Sequence, residues 1–254
     1  MTPPISAILL AAGYGTRLYP LTKNRPKALL PLGRGVVLDR ILSGVQSVPG
    51  LSRVILVTNH RFVRQFAAWS QQRRAPLEVV DDGTATPETR LGAIRDLLLS
   101  LTRVEQHDDA LVLGTDNLFT WSLVDFVAFA KTKRPAVTIA LRTVRSRQEA
   151  SRCAVVELNG DGRLVHCVEK PAQPASLTVS LCVYYIPASS RGRLEEFVKR
   201  GGNADAPGYF VEWLVKQEAV YGFMTEGMWF DIGSQETYRR AVQQWRRLPS
   251  SQTA

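Results

Sequence analysis

The sequence predicts an α/β fold: a mixed, mostly parallel sheet covered by helices on both faces, with antiparallel strands inserted in the second half. Three observations predict it. Short apolar runs alternate with segments of helical period as far as about residue 131. After that the texture changes to closely spaced strand-like runs. Between two of these stands Asn159-Gly-Asp-Gly162, a strong hairpin turn.

In chain order, Ile5–Leu10 reads as a buried strand running straight into Gly13-Tyr-Gly15. Leu38–Ser47 has helical spacing, and Arg53–Thr58 is a second buried strand. His60–Gln72 reads as a helix with Phe62, Val63, Phe66 and Trp69 as its apolar stripe. Leu77–Val80 is a short strand, Glu88–Leu101 a helix, and Ala110–Leu113 a strand ending at Gly114-Thr115-Asp116-Asn117. Trp121–Lys131 is helical. The strand-like runs that follow are Ala136–Val144, Cys153–Leu158, Leu164–Val168 and Thr178–Ile186. Arg191–Lys199 and Tyr209–Lys216 are helical, Val220–Met224 is a strand, and Ser234 caps a closing helix to Arg247. Residues 249–254 read as a frayed tail. With no internal repeat or low-complexity linker, residues 1–254 form one domain, long enough to bury a substantial core.

The net charge of +9 suits acidic partners, although a solvated basic surface explains it equally well. No Lys/Arg block interleaved with aromatics supports nucleic acid as a partner. The three cysteines are widely spaced and the three histidines scattered, which indicates neither a disulfide framework nor a structural zinc site. Met1–Leu10 lacks the basic start of a signal peptide, and Ile5–Ala12 is too short to span a bilayer. A cytoplasmic location without membrane contact is the expectation, with a homodimer as one expected assembly.

The richest stretch runs from Leu9 through Ala11-Ala12-Gly13-Tyr14-Gly15-Thr16-Arg17 to Pro26-Lys27. Glycines let the backbone approach a phosphate and aim its N–H groups inward. Arg17 can fork onto phosphate oxygens, and Lys27 adds a compact second charge. The run is neither a Walker A loop nor a dinucleotide fingerprint, because it lacks the spacing of either. For a bare Gly-x-Gly, a tight turn with surface cations would be the better reading; the longer run is more specific.

Gly13-Tyr-Gly-Thr-Arg-Leu-Tyr-Pro-Leu-Thr22, followed by Pro26-Lys27 and Pro31, resembles the sugar-1-phosphate nucleotidylyltransferases, which include thymidylyl-, uridylyl- and adenylyltransferases for glucose 1-phosphate. Gly114-Thr-Asp116-Asn, Val168-Glu169-Lys170-Pro171 and Trp229-Phe-Asp231-Ile-Gly233 match in the expected order. The resemblance spans residues 5 to about 245 and is closest to a short form without a C-terminal β-helix. It implies a Rossmann-like domain of the nucleotide-diphospho-sugar transferase type. Residues 1–120 would bind the NTP and residues 121–245 the sugar phosphate. Ala11–Thr16 would bind the triphosphate, with Arg17 and Lys27 as catalytic cations. Asp116 and Asp231 would hold Mg²⁺, which takes one or two carboxylates plus substrate phosphates. Glu169 would bind sugar hydroxyls and Lys170 the sugar phosphate.

The stretch 81–93 stands in the place of the base-reading loop. Gly83 and Gly92 let the backbone approach the base. Thr84, Glu88 and Arg90 either read its edge or, for Glu88 and Arg90, cap and pair on the following helix. The sequence names no base. It also departs from the family at two positions beside the sugar. Tyr-Gly is replaced by Cys153-Ala154 and Thr-Gly by Leu181-Cys182, which narrows the pocket at Ala154 and Cys182 and makes it less polar. The expectation is a deoxy, amino or cyclitol-type acceptor, set against a small backbone adjustment that keeps the usual substrate. Two rival readings are a cytidylyltransferase for a phosphorylated alcohol such as phosphocholine, and a non-catalytic regulatory subunit that binds nucleotide sugars.

Overall fold

The computed structural model describes residues 3–248; the tail read as frayed lies outside them. In chain order come β1 (Ile5–Leu10), a two-stranded ribbon of β2 (Pro31–Leu32) and β3 (Gly35–Val36), α1 (Val37–Gln46), β4 (Leu51–Thr58), α2 (Val63–Arg73), β5 (Glu78–Asp81) and α3 (Ala93–Leu101). Next are β6 (Asp109–Gly114), β7 (Asn117–Phe119), α4 (Leu123–Thr132), β8 (Val137–Thr143), α5 (Arg147–Ala150), β9 (Ala154–Leu158), β10 (Leu164–Glu169) and β11 (Thr178–Ile186). The chain closes with α6 (Gly192–Lys199), α7 (Pro207–Leu214), β12 (Val220–Met224), β13 (Trp229–Asp231) and α8 (Gln235–Trp245).

The main sheet has nine strands. Its first half, β5-β4-β1-β6, is parallel throughout. Strand β11 then joins β6 antiparallel and carries β8 and the β9–β10 hairpin. The architecture is the mixed sheet read from the sequence. Period-2 alternation divides its strands between two cores. On β1, Ile5, Ala7 and Leu9 face the core built with α1, α2, α4 and α8, whereas Ile8 faces the core built with α3, α6 and α7. Each face is covered because a βαβ crossover must lay its helix against the sheet.

One expected element is corrected. The helix read over Glu88–Leu101 begins only at Ala93, with a separate 3₁₀ turn at Pro87–Thr89. Gly92, at φ +90°, breaks the run. A helix residue needs negative φ, so continuation through Gly92 is ruled out. No helix among the described residues is long and apolar enough to cross a membrane.

A buried polar cluster ties the two halves of the sheet together in its middle, where β6 meets β11 at the Asp109 end of β6. Asp109, fully buried, accepts from the Tyr185 hydroxyl and, at 2.9 Å, from the Ala188 N–H, and it pairs with Arg134 at 3.2 Å. Asp109→Ala leaves these donors unpaired, and loss of one partner of such a pair costs about 3–5 kcal/mol. Thermal unfolding of that variant should begin well below wild type; an unchanged midpoint would deny the cluster a structural role.

Candidate active site

The strand order reverses at β1: the chain steps from β1 out to β4 and β5, then returns through α3 on the other face to β6 on the opposite side of β1. The crevice outside the carboxyl ends of β1 and β6 is where open α/β sheets take ligands. A cleft of ≈ 370 Å³ opens there. One end is walled by the loop after β1, the middle by the loop after β6, and the other end by residues of β9, β10 and β11.

The loop after β1 is pinned from behind. Ala11 donates to the Val57 carbonyl at 2.9 Å, Asn59 Nδ2 to the Ala12 carbonyl at 2.8 Å, and Thr22 Oγ1 to the Gly15 carbonyl at 2.7 Å. Among the described residues, the N–H groups of Ala12, Gly13, Tyr14 and Gly15 donate to no protein acceptor. Consecutive free N–H groups form an anion-binding concavity. Gly15 needs its positive φ of 62°, whereas a Cβ on Gly13 would meet nothing within 4 Å. The space above Gly13 is open to a ligand. Ala11, Ala12, Gly13, Arg17 and Lys27 all line the cleft.

Strands β7 and β13 form a separate two-stranded sheet in which Asp231 lies opposite Asn117, and the Ile232 N–H bonds the Asp116 carbonyl at 2.9 Å. This ribbon brings together two carboxylates far apart in sequence. Lys27 Nζ lies 2.9 Å from Asp116 Oδ2, and Asn117 Nδ2 donates to Asp116 Oδ1 at 3.0 Å. Burial pushes the Asp116 carboxyl up, but the Lys27 charge and hydrogen bond, with Arg17 further off, outweigh it and hold the group below its usual range. Asp231 goes the other way: burial, then the Asp116 charge, raise it to about 6. No described side chain or backbone N–H bonds its carboxylate. Two hard oxygen donors, one lacking a counter-charge of its own, fit a small divalent cation such as Mg²⁺ that keeps its remaining positions for phosphate and water.

At the other end, Glu169 is 5% exposed and its Oε1 lies 3.2 Å from Lys170 Nζ. Burial raises its carboxyl, partly offset by Lys170. Lys170 itself has φ 47°, uncommon for a non-glycine residue, at the point where the chain leaves β10. The Ala154 methyl and the Glu169 carboxylate both crowd Gly208: a Cβ there would lie 2.8 Å from the first and 1.7 Å from Glu169 Oε2. Cys182 occupies the space over Gly114, whose own Cβ would sit 2.9 Å from the sulfur. Burial, then the Asp116 charge, raise the Cys182 thiol, which stays neutral.

Gly92 also lines the cleft, whereas Gly83, Tyr14, Gly15 and Thr16 are not on its wall. Tyr14 is buried beneath the loop, 3.1 Å from Thr84 Oγ1. The structure adds residues the sequence reading gave no site role, chiefly Asp96, Arg152, Trp229 and Gly208. Arg90 is on the wall as well and pairs with Asp205 at 3.0 Å, tying the segment between β5 and α3 to the segment before α7. A Cβ on Gly92 would lie 2.5 Å from the Ala204 carbonyl oxygen. Gly92→Ala therefore combines a strained φ with a backbone clash, and the strain alone costs about 1–3 kcal/mol. A lowered melting temperature is expected; a wild-type melt would show the loop tolerates displacement.

The Nucleotidyl transferase family model matches residues 6–247. The chain belongs to that family. It is 27% identical to the glucose-1-phosphate adenylyltransferase of Thermomicrobium roseum, over 93% of this chain and 58% of that protein. To the mannose-1-phosphate guanyltransferase of Schizosaccharomyces pombe it is 25% identical, over 92% of this chain and 62% of the other. The chain thus spans less than two-thirds of the length of these curated relatives. A solved UDP-glucose pyrophosphorylase in complex with UDP-glucose superposes with a TM-score of 0.79 at 19% identity, covering 96% of this chain and 99% of that one. At that identity the likeness is one of fold.

Proposed function

We propose that this nucleotidyl transferase joins an NTP to a sugar-1-phosphate-like acceptor, releasing pyrophosphate. The observation that carries the reading is one cleft holding both an N–H-lined loop with Arg17 and Lys27 and, at its far end, the Glu169–Lys170 pair. A phosphate oxygen of the acceptor attacks the α-phosphorus. The bond from the α-phosphorus to the bridging oxygen breaks, and pyrophosphate leaves in line with both electrons. The acceptor phosphate is already an anion, so no general base is required. Catalysis is then positioning and charge neutralisation. The loop N–H groups and Arg17 hold the triphosphate. Lys27 and Lys170 bring the anionic acceptor close against repulsion, and Glu169 accepts from acceptor hydroxyls. Asp116 and Asp231 would hold Mg²⁺, which supplies charge neutralisation at the phosphates when bound.

Within that reading, the Ala154 methyl and the Cys182 thiol favour a deoxy, amino or cyclitol-type acceptor over glucose 1-phosphate. The test is pyrophosphate release over a matrix of NTPs and acceptors, with product mass measured. A phosphorylated alcohol as the sole productive acceptor would make the chain the rival cytidylyltransferase type, and nucleotide-sugar binding without turnover would make it a silent subunit. Glucose 1-phosphate outperforming every analogue would overturn the acceptor assignment alone.

A further inference from the structure

Asp96 lies in the first turn of α3, is 6% exposed, and stands on the cleft wall beside Gly92 and Ala93. Its Oδ1 is buried without a conventional donor, and so is Asp82 Oδ2. The two carboxyls stand close enough for the Asp82 charge to raise the proton affinity of Asp96 and for the pair to share one proton. Two neighbouring carboxylates carry only acceptors, so a pair of buried oxygens with no donor between them is relieved by a single shared proton. Asp82 Oδ1 accepts from the Thr84 N–H at 2.7 Å and from Thr84 Oγ1 at 2.8 Å. Burial raises the Asp82 carboxyl and these donors offset part of that rise, whereas Asp96 has no such donors among the described residues and takes the proton first. Thr84 Oγ1 in turn meets the Tyr14 hydroxyl, so a chain of hydrogen bonds runs from beneath the triphosphate loop to the pair. A pair bearing one negative charge repels phosphate, whose cations stand at Arg17 and Lys27. The ligand part suited to it is neutral and carries N–H donors.

We propose that Asp82 and Asp96 form a one-proton acid pair that seats the nucleobase, Asp96 offering its second oxygen to an N–H on the base edge. This rests on the nucleotidyl-transfer reading above. Burial, then the Asp82 charge, raise Asp96 to about 7. The other charged or titratable groups around the pair are Asp81, bonded to His60, then Glu88 and Arg61 beside Tyr14, and the Arg90–Asp205 ion pair. The N-terminal end of α3 favours the anion and works against the shift. Above about pH 7 the proton is lost, two facing carboxylates repel, and the seat opens.

The test is the KM for the preferred NTP, measured for wild type and Asp96→Asn between pH 6 and pH 8 at saturating acceptor. An Asn amide donates to Asp82, keeps an oxygen for the base and does not titrate. The ratio of wild-type to variant KM should rise about tenfold across that range, one decade for each pH unit above the pKa. Taking the ratio at each pH cancels titration of the triphosphate itself. A ratio constant to within about twofold overturns the proposal, since linkage demands the slope. Asp96→Leu should raise KM about tenfold or more at pH 6, with a much smaller change in kcat, because the base edge loses its acceptor; a wild-type KM overturns it. If neither variant folds, carboxyl-carbon NMR of wild type decides: titration near neutrality supports the pair, and titration in the ordinary aspartate range overturns it. Absence of turnover for every NTP and acceptor overturns the functional reading instead, whereas turnover with a flat KM ratio overturns the acid pair alone.

Discussion

Asp116→Asn and Asp231→Asn should each lower kcat about 10²- to 10³-fold with Mg²⁺ present, since a metal supplies several kcal/mol of charge stabilisation and each 1.36 kcal/mol is tenfold in rate. The two variants should differ in stability. Asp116 is held ionised by Lys27 at 2.9 Å, so its amide leaves the ammonium without a counter-charge in the free protein. Asp231 has its pKa raised, which means its charge opposes folding near neutral pH. Asp231→Asn should therefore melt at or above the wild-type temperature at pH 7. That difference should fade as the pH falls below the ordinary aspartate value, where the unfolded chain is protonated too. Steady-state rates and melting curves on the same preparations separate catalysis from folding. Near-normal rates for both variants would remove the metal from the two aspartates.

The sheet and the opening loop were legible because their signals are local. Ile5–Leu10 and Asp109–Gly114 are apolar runs closed by glycine-containing turns, and the run from Gly13 to Lys27 carries its chemistry in contiguous residues. Glu169, Asp116 and Asp231 could be placed only through the family resemblance, because no local period marks a turn carboxylate. What joins Asp116 to Asp231 is the β7–β13 ribbon, three residues on each side. Strands that short have no readable alternation; they form because tertiary packing aligns them. The start of α3 is hidden from the sequence for a similar reason. Gly92 looks tolerable inside a helix until its approach to the Ala204 carbonyl is known. Asp96 did leave a trace: a carboxylate among Ile94, Leu97 and Leu98 on a helix that packs against the sheet. An acid in that setting must find a partner or a proton, and the chain offers Asp82.

Gly208 shows how a residue without chemistry of its own shapes the Glu169 end of the cleft. It sits at the start of α7 with backbone any residue can adopt, so its freedom at positive φ is not the reason it is glycine. The reason is space: Glu169 Oε2 occupies the position a Cβ would take, and the Ala154 methyl closes the remaining side. The Glu212 carboxylate accepts the Glu169 N–H at 3.0 Å, and its charge disfavours moving the Glu169 carboxylate toward it. Gly208→Ala must therefore push the Glu169 carboxylate toward the cleft or shift α7. A displacement of about 1 Å in a positioning group costs on the order of 10²-fold in rate. The expected outcome is a drop of about that size in kcat/KM for the acceptor, while the KM for NTP changes little because the N–H loop is untouched. Combining Gly208→Ala with Glu169→Ala gives the decisive comparison. If Gly208 acts through Glu169, the double variant should be no worse than Glu169→Ala alone, since the methyl then has nothing to displace. Additive losses would mean that Gly208 makes room for the acceptor itself rather than for the carboxylate that holds it.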